Sequence, residues 1–291
     1  MKSKSHESEY EKSDVPFYDR WVKGLFWPED SLNLKVTSVY KRSDYLPKFI
    51  DAEDIPRQSL SDYYIKLQLL SQTGNHSTNI ELPDIPEGKV LITGIAGAGK
   101  TSLMHYISWR WANKELWQGK FKYVVRVKLR NLLLPKWQNN PESDDETFLI
   151  EFILSCFPGG FIKDVKLSDM QKYLNEYRTK TLLLLDGYDE VADRVSQENS
   201  SAYKIFTTAM NYPNVVMTSR PNALTDNTRA KFDIVIENIG LDLQGVISYV
   251  NNYFKSEEHN ISSLMARLKS DGNIFEICKV PINLFLVCMA W

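Results

Sequence analysis

The feature that most limits what this chain can fold into is a short apolar run that breaks into a glycine-rich loop. Val90-Leu91-Ile92-Thr93 leads into Gly94-Ile95-Ala96-Gly97-Ala98-Gly99-Lys100-Thr101-Ser102. The loop fits the pattern of a glycine, four residues, then Gly-Lys-Ser/Thr. A polyphosphate carries several negative charges that must be met without bulky side chains in the way. Gly94, Gly97 and Gly99 let the backbone curl so that its N–H groups point inward. A helix starting at Lys100 adds the positive end of its dipole. Lys100 supplies a point charge for the β- and γ-phosphates, and Thr101 a hydroxyl for magnesium. Ile95, Ala96, Ala98 and Ser102 complete the cradle. The pattern has this meaning only between a strand and a helix. The sequence provides both, since Leu103, Met104, Ile107 and Trp111 recur at helical spacing up to about Lys114.

A second stretch supplies the acid such a loop needs. Thr181-Leu182-Leu183-Leu184-Leu185 shows no polar alternation, so it reads as a central parallel strand covered on both faces. It ends in Asp186-Gly187-Tyr188-Asp189-Glu190. Asp186 falls at the carboxyl edge of the sheet, where open α/β folds bind ligands, and is placed to hold magnesium directly or through water. Asp189 and Glu190 follow within a turn. Either can polarise an attacking water, with Glu190 the first choice. Such acids are also common in solvated loops, and it is the pairing with the glycine loop that favours chemistry. Arg220, in Thr218-Ser219-Arg220-Pro221, lies at the end of another strand. It can reach a γ-phosphate, although on spacing alone a partner among loop carbonyls or surface carboxylates is the better reading.

Around these stretches strands and helices alternate. Strands are expected at Val90–Thr93, Phe121–Leu129, Thr181–Leu185, Asn214–Thr218 and Phe232–Ile236, with helices over Thr147–Phe157 and Ser168–Tyr177. Tyr123, Val125, Val127 and Leu129 alternate with polar residues, which suits a sheet edge. The expected class is α/β: a doubly wound, parallel, five-stranded sheet with a small C-terminal helical subdomain. In that subdomain Leu243, Val246, Ile247, Val250 and Phe254 form one helical stripe, and Leu284 to Trp291 form an apolar stretch with little expected to pack against it. Residues 1–14 read as a disordered tail, 15–88 as an aromatic-containing extension whose Ser71–Gly88 portion is a polar loop, 89–240 as the nucleotide-binding domain, and 241–291 as the start of a helical subdomain that reads as truncated. His105 is expected to pack rather than to ligate, and Trp109 and Trp111 to serve a core or an interface.

Bulk composition excludes several classes. Thirty-five Lys and Arg nearly balance 37 Asp and Glu, which gives no basis for nucleic acid as a partner. Three scattered cysteines without CxxC spacing suit reduced thiols in a cytoplasmic protein. Met1 to Glu9 is polar and not a secretory signal, so the sequons at Asn75, Asn199 and Asn260 read as chance. No stretch approaches the roughly 20 apolar residues of a membrane span.

From about Lys89 to Trp291, some two-thirds of the chain, five motifs in order resemble the NACHT domain of NOD-like receptors, within the STAND class of P-loop NTPases. They are GIAGAGKTS, LLLLDGYDE, VVMTSRP, IENIGLDLQGVISYVNNYF and ICKVPINLFLVC. The resemblance implies ATP or ADP with Mg2+ as cofactors and phosphate contacts at Lys100 and Thr101. It implies magnesium at Thr101 and Asp186, and hydrolytic roles for Asp189 and Glu190. It makes Arg220 a γ-phosphate sensor and sets Pro281 against adenine. It further implies a switch that assembles into homo- or hetero-oligomers with other NACHT proteins in innate immunity, and hydrolyses ATP slowly. The family's winged-helix and repeat regions have no counterpart here, nor does a death-fold domain precede the sheet, so a fragment, a truncated product or a short paralogue is expected. Two other functions are open: a P-loop phosphotransferase on a small acceptor, against which stands the lack of an arginine cluster after the sheet, and a non-catalytic regulatory protein that nucleotide merely stabilises.

Overall fold

The structure, a computed structural model, describes residues 28–44, 59–73, 76–138, 143–157, 165–255 and 257–291. The expectations for residues 1–14, and for the aromatic residues Phe17, Tyr18, Trp21, Phe26, Trp27 and Tyr45, lie outside the described residues.

Among the described residues seven strands form one sheet. They are β1 (Gln68–Thr73), β2 (His76–Asn79), β3 (Lys89–Thr93), β4 (Tyr123–Lys128), β5 (Thr181–Asp186), β6 (Asn214–Ser219) and β7 (Ile234–Gly240). Their spatial order is β2-β1-β7-β3-β6-β5-β4. The five strands from β7 to β4 are parallel, as expected. The expected count of five is corrected by β1 and β2, an antiparallel hairpin that extends the sheet beyond β7. It includes part of Ser71–Gly88, which reads as loop because its strand residues are polar. At a sheet edge half-solvated polar strands are stable, since pairing supplies the hydrogen bonds and only one face needs covering.

Burial follows the sequence pattern closely. All six residues of β5 and all six of β6 are buried, while Arg126 and Lys128 of edge strand β4 are only half-buried. The free edge of β4 is covered by helix α1 (Pro28–Arg42). There Asn33 Nδ2 donates to the Lys122 carbonyl at 2.6 Å, and Tyr40 Oη accepts from the Arg126 N–H at 2.8 Å. Satisfying an edge with side chains from a helix removes a template for aggregation. A single turn, α2 (Leu60–Tyr63), precedes β1.

The crossovers are α3 (Lys100–Ala112) between β3 and β4, then α4 (Asp145–Cys156) and α5 (Leu167–Glu176) before β5. The turn α6 (Ala192–Val195) and helix α7 (Ser201–Met210) precede β6, and α8 (Asp226–Arg229) precedes β7. Sequence reading placed no helix over 201–210. Its signals are present: the Ser200 hydroxyl accepts from the Tyr203 N–H, and Ala202, Ile205, Phe206 and Ala209 are buried at helical spacing.

Beyond Gly240 the chain is helical: α9 (Leu243–Phe254), α10 (Glu258–Ser270), α11 (Gly272–Cys278) and α12 (Pro281–Ala290). Asp242 caps α9 by accepting from the Gly245 N–H at 2.7 Å. Val246, Val250 and Phe254 are buried, but Leu243 is exposed because it sits in the first turn, ahead of the packed face. The apolar end also corrects an expectation. Leu284, Phe285 and Cys288 of α12 are buried against the other helices, while Leu286, Met289 and Trp291 face outward. Leu264, Leu268, Cys278 and Leu284 belong to the same continuous core as the sheet, so the helical part is packed onto it. No helix among the described residues is long and apolar enough to cross a membrane.

Candidate functional site

The glycine loop leaves β3 at the carboxyl edge of the sheet and enters α3. Gly97 and Gly99 have φ of +76° and +87°, the left-handed region that only glycine enters without strain. Gly99 is also the residue from which α3 starts, and its carbonyl accepts from the Leu103 N–H at 2.8 Å. The loop is pinned to β6 by Gly94, whose N–H donates to the Ser219 carbonyl at 3.2 Å. Ile95 and Ala96 form its exposed rim, and Ala98 its buried floor.

Lys100 lies across the mouth of the loop. Its Nζ donates to the carbonyls of Gly94 at 2.7 Å and Ile95 at 2.9 Å. Burial pushes its pKa down, while the carboxylates of Asp189, Asp186 and Glu190 pull it back up and Arg220 lowers it further. Its direct partners are neutral carbonyls rather than carboxylates, which leaves the ammonium able to exchange them for an anion.

Asp186 ends β5 and is buried. Its Oδ1 accepts from Thr218 Oγ1 at 2.9 Å and from Thr101 Oγ1 at 3.3 Å. The Gly187 N–H donates back to Thr218 Oγ1 at 3.0 Å. Burial raises the Asp186 pKa, and the Thr218 bond, the positive charge of Arg126 and the Thr101 bond oppose that rise. Thr101 and Asp186, eighty-five residues apart in sequence, therefore share one point in space. Their hydroxyl and carboxylate are hard oxygen donors of the kind magnesium prefers. Among the described residues no group of three or more His, Cys, Asp or Glu side chains is arranged to hold a metal alone.

Beyond Asp186 the chain makes a tight turn, Tyr188–Glu190, after Gly187 at φ +82°. Asp189 is clamped by Arg220: Nε sits 2.8 Å from Oδ2, and the Arg220 N–H donates to Oδ1 at 3.2 Å. Glu190 Oε2 lies 3.4 Å from Arg130 Nε. These groups and the loop line one cleft of about 470 Å³, with Ala96, Gly97, Gly99, Lys100, Thr101 and Ser102 on one wall, and Asp186, Asp189, Glu190, Thr218, Arg220 and Arg130 on the others.

Every residue singled out in the loop and acidic motif is thus gathered at one edge of the sheet, with Arg220 among them. Pro281 stands apart. It is buried at the start of α12, where its Cγ would lie 3.8 Å from a Cβ placed on Gly99. Ile282 is closer still, its Cγ2 lying 2.2 Å from a Cβ placed on Gly97. Sequence reading missed Thr218 and Arg130 as neighbours of the acids. Thr218 becomes legible only once β5 and β6 are known to be adjacent in parallel register. Nothing in sequence singles out Arg130, which emerges from a short helical turn after β4.

A parallel sheet with a glycine loop before a helix and an acid at a neighbouring strand end defines a P-loop NTPase fold. More narrowly, residues 89–257 match the model of the NACHT domain, and the chain belongs to that family. Among its relatives, human "NACHT, LRR and PYD domains-containing protein 12" is 23% identical over 224 residues, covering 72% of this chain and 20% of that protein. Human "Protein NLRC5" is 25% identical over 214 residues, covering 68% of this chain and 10% of that protein. The chain therefore spans between a tenth and a fifth of the length of these two relatives. Among solved structures, AMPPCP-bound DnaA from Aquifex aeolicus aligns with a TM-score of 0.33 and 17% identity, over 59% of this chain and 46% of that one.

Proposed function

We propose that this chain is an ATP/ADP-binding switch and assembly module of the NOD-like receptor type, acting in the cytoplasm. The observation that carries the reading is the convergence of Lys100, Thr101 and Asp186 on one cleft at the carboxyl edge of the parallel sheet. Residues 89–240 would form the nucleotide-binding unit and 241–291 the helical unit that responds to it.

In this reading the loop from Gly94 to Ser102 holds the phosphates, and Lys100 exchanges its carbonyl partners for phosphate oxygens. Thr101 and Asp186 hold Mg2+, which when bound offsets the charge developing on the phosphates. Asp186 needs no rearrangement to do so, because Thr218 already orients its carboxylate. Glu190 is the general base for water. Asp189 serves by orienting Arg220 towards the far end of the cleft. Both acids are engaged by arginines, Asp189 by Arg220 and Glu190 by Arg130. An acid engaged by an arginine must leave that partner before it can contact the attacking water, which favours slow hydrolysis and a long-lived triphosphate state, as a switch needs. Pro281 borders Gly99 and is assigned to the adenine side. The energy for switching comes from different affinities of ATP and ADP for the two states, and assembly with other NACHT proteins would follow the ATP state.

Calorimetric titration of the chain with ATP and ADP in magnesium tests the reading. Lys100→Ala removes a charge-assisted contact to phosphate and should weaken binding at least about tenfold. Equal binding by both proteins would end this assignment. Glu190→Gln should leave ATP affinity within about twofold while lowering single-turnover hydrolysis by about 10²-fold or more, and an unchanged rate would transfer the base role to Asp189.

A further inference from the structure

The carboxyl end of β7 lies against the glycine loop, and one side chain there touches both the loop and the bend into the helical unit. Asn238 is 2% exposed. Its Nδ2 donates to the Ala98 carbonyl at 2.9 Å, and its Oδ1 accepts from the Gly240 N–H at 3.0 Å. These partners fix the orientation of the amide, because a carbonyl only accepts and an N–H only donates. The main chains are equally close. A Cβ on Gly94 would lie 2.9 Å from the Asn238 carbonyl oxygen, so glycine at 94 is what admits β7 to the loop. On the other side, Gly240 has φ +95°, and a Cβ there would lie 2.3 Å from the Lys279 carbonyl oxygen, to which the Leu241 N–H donates at 2.7 Å.

The bond to Ala98 has a directional consequence. A trans peptide is planar, so its C=O and N–H point in opposite directions. Holding the Ala98 carbonyl on the β7 side turns the N–H of Gly99 the other way. Gly99 borders the cleft. The Ala98 carbonyl is an acceptor that would repel phosphate oxygens if the peptide flipped, and it is buried, so it needs a donor. An apolar side chain at 238 would fill the same space and leave this peptide unheld.

We infer that Asn238 is a positioning residue for the glycine loop. It clamps the Ala98–Gly99 peptide so that the Gly99 N–H faces the phosphates, and through the same amide it ties that peptide to the Gly240 bend leading into the helical unit. The inference rests on the nucleotide-binding reading above and deepens it.

Asn238→Asp separates positioning from packing. The aspartate keeps an oxygen for the Gly240 N–H. When ionised, its second oxygen faces the Ala98 carbonyl, acceptor against acceptor; when protonated, it donates as the asparagine does. Burial raises the pKa of such a carboxyl, which brings protonation into the range where the folded chain can be assayed. ADP affinity in magnesium is measured for the wild-type chain and the variant at pH 8 and pH 5.5, with circular dichroism confirming the fold of each. The expected result is binding at least about tenfold weaker than wild type at pH 8, with the ratio returning towards one at pH 5.5. A ratio that does not move with pH, or that equals one at pH 8, overturns the inference. If Asn238→Asp does not fold, Asn238→Ala takes its place: several-fold weaker ADP binding at both pH values supports the clamp, and wild-type affinity overturns it. A wild-type chain that binds no ADP removes the nucleotide reading itself and the inference with it.

Discussion

The glycine loop is held from two directions, and the two holds differ in kind. On the sheet side the contacts are polar. Gly94 donates to Ser219, and behind it Asp186, Thr218, Thr101 and Gly187 share a chain of hydrogen bonds. On the helical side the loop meets the side chains of Ile282 and Pro281, packed where glycines 97 and 99 carry none. Buried hydrogen bonds are directional, and losing one partner leaves the other stranded. Apolar contacts are non-directional and part at a cost that scales with area. The sheet side therefore fixes where charge is met. The helical side can separate from the loop without stranding a polar group, as the proposed switch would require.

The largest expected effect comes from filling the helical-side contact. Gly97→Val places a branched side chain in the left-handed region and within overlap of Ile282. Backbone strain of about 1–2 kcal/mol and overpacking of about 1–3 kcal/mol add up to about 2–5 kcal/mol, at least about a thirtyfold loss in ATP affinity where that strain falls on the loop. Combining Gly97→Ala with Ile282→Ala sharpens the point. The second change should restore the steric part and leave the backbone part, with a coupling of about 1 kcal/mol in a double-mutant cycle. Strict additivity in ATP titrations would mean that the loop and α12 do not bear on each other, and the contrast between the two sides would fail.

A smaller effect is expected on the sheet side from Thr218→Val, which keeps the shape and removes the hydroxyl. Asp186 loses its 2.9 Å donor, and the Gly187 N–H loses its acceptor. The expected cost is about 1–3 kcal/mol in urea unfolding, together with a weaker magnesium dependence of ATP binding. Ile282→Ala alone removes no hydrogen bond and should leave magnesium dependence as it was. If both variants alter it equally, the two holds are not different in kind.

The same division governs how much could be read from sequence. The loop, the all-apolar β5 and its terminal Asp186 were legible because each is local: glycine spacing, lack of alternation, and an acid after a strand. The acidic pair and Arg220 were legible as strand-end residues. The pairing of Thr218 with Asp186 was not, because it depends on β6 lying next to β5, which no local pattern states. The β1–β2 hairpin was missed because its stability comes from pairing with β7 rather than from its own polar sequence. Asn238 was missed for a related reason: an asparagine near a strand end is ordinary until the loop that needs its amide folds against it. The half-burial of α12 was hidden by an apolar run without a polar face, in which depth is set by neighbouring helices.

The smallest effect distinguishes the two sides by proton rather than by mutation of the loop. His105 sits on α3, one turn after Thr101, 7% exposed and with no hydrogen-bond partner at Nδ1. Burial, reinforced by the charges of Arg126 and Lys128, holds its pKa down to about 2. The sign follows from linkage. The folded chain keeps His105 neutral, while the unfolded chain takes up a proton below about pH 6.5. Stability from this group is therefore full above about pH 6.5 and declines as pH falls, by about 1.4 kcal/mol per pH unit while the folded state stays unprotonated. His105→Leu should remove that slope between about pH 6.5 and pH 5, with stability read from urea midpoints at each pH. On the helical side the described groups with shifted pKa values are Tyr249, Tyr253, Cys278 and Cys288, all shifted upward, away from this range. An unchanged acid slope in His105→Leu would place the acid-sensitive group elsewhere. A flattened slope would mean that acid loosens the fold from the sheet side, behind the helix that carries Lys100 and Thr101, while the contact of Ile282 on Gly97 is untouched by protons.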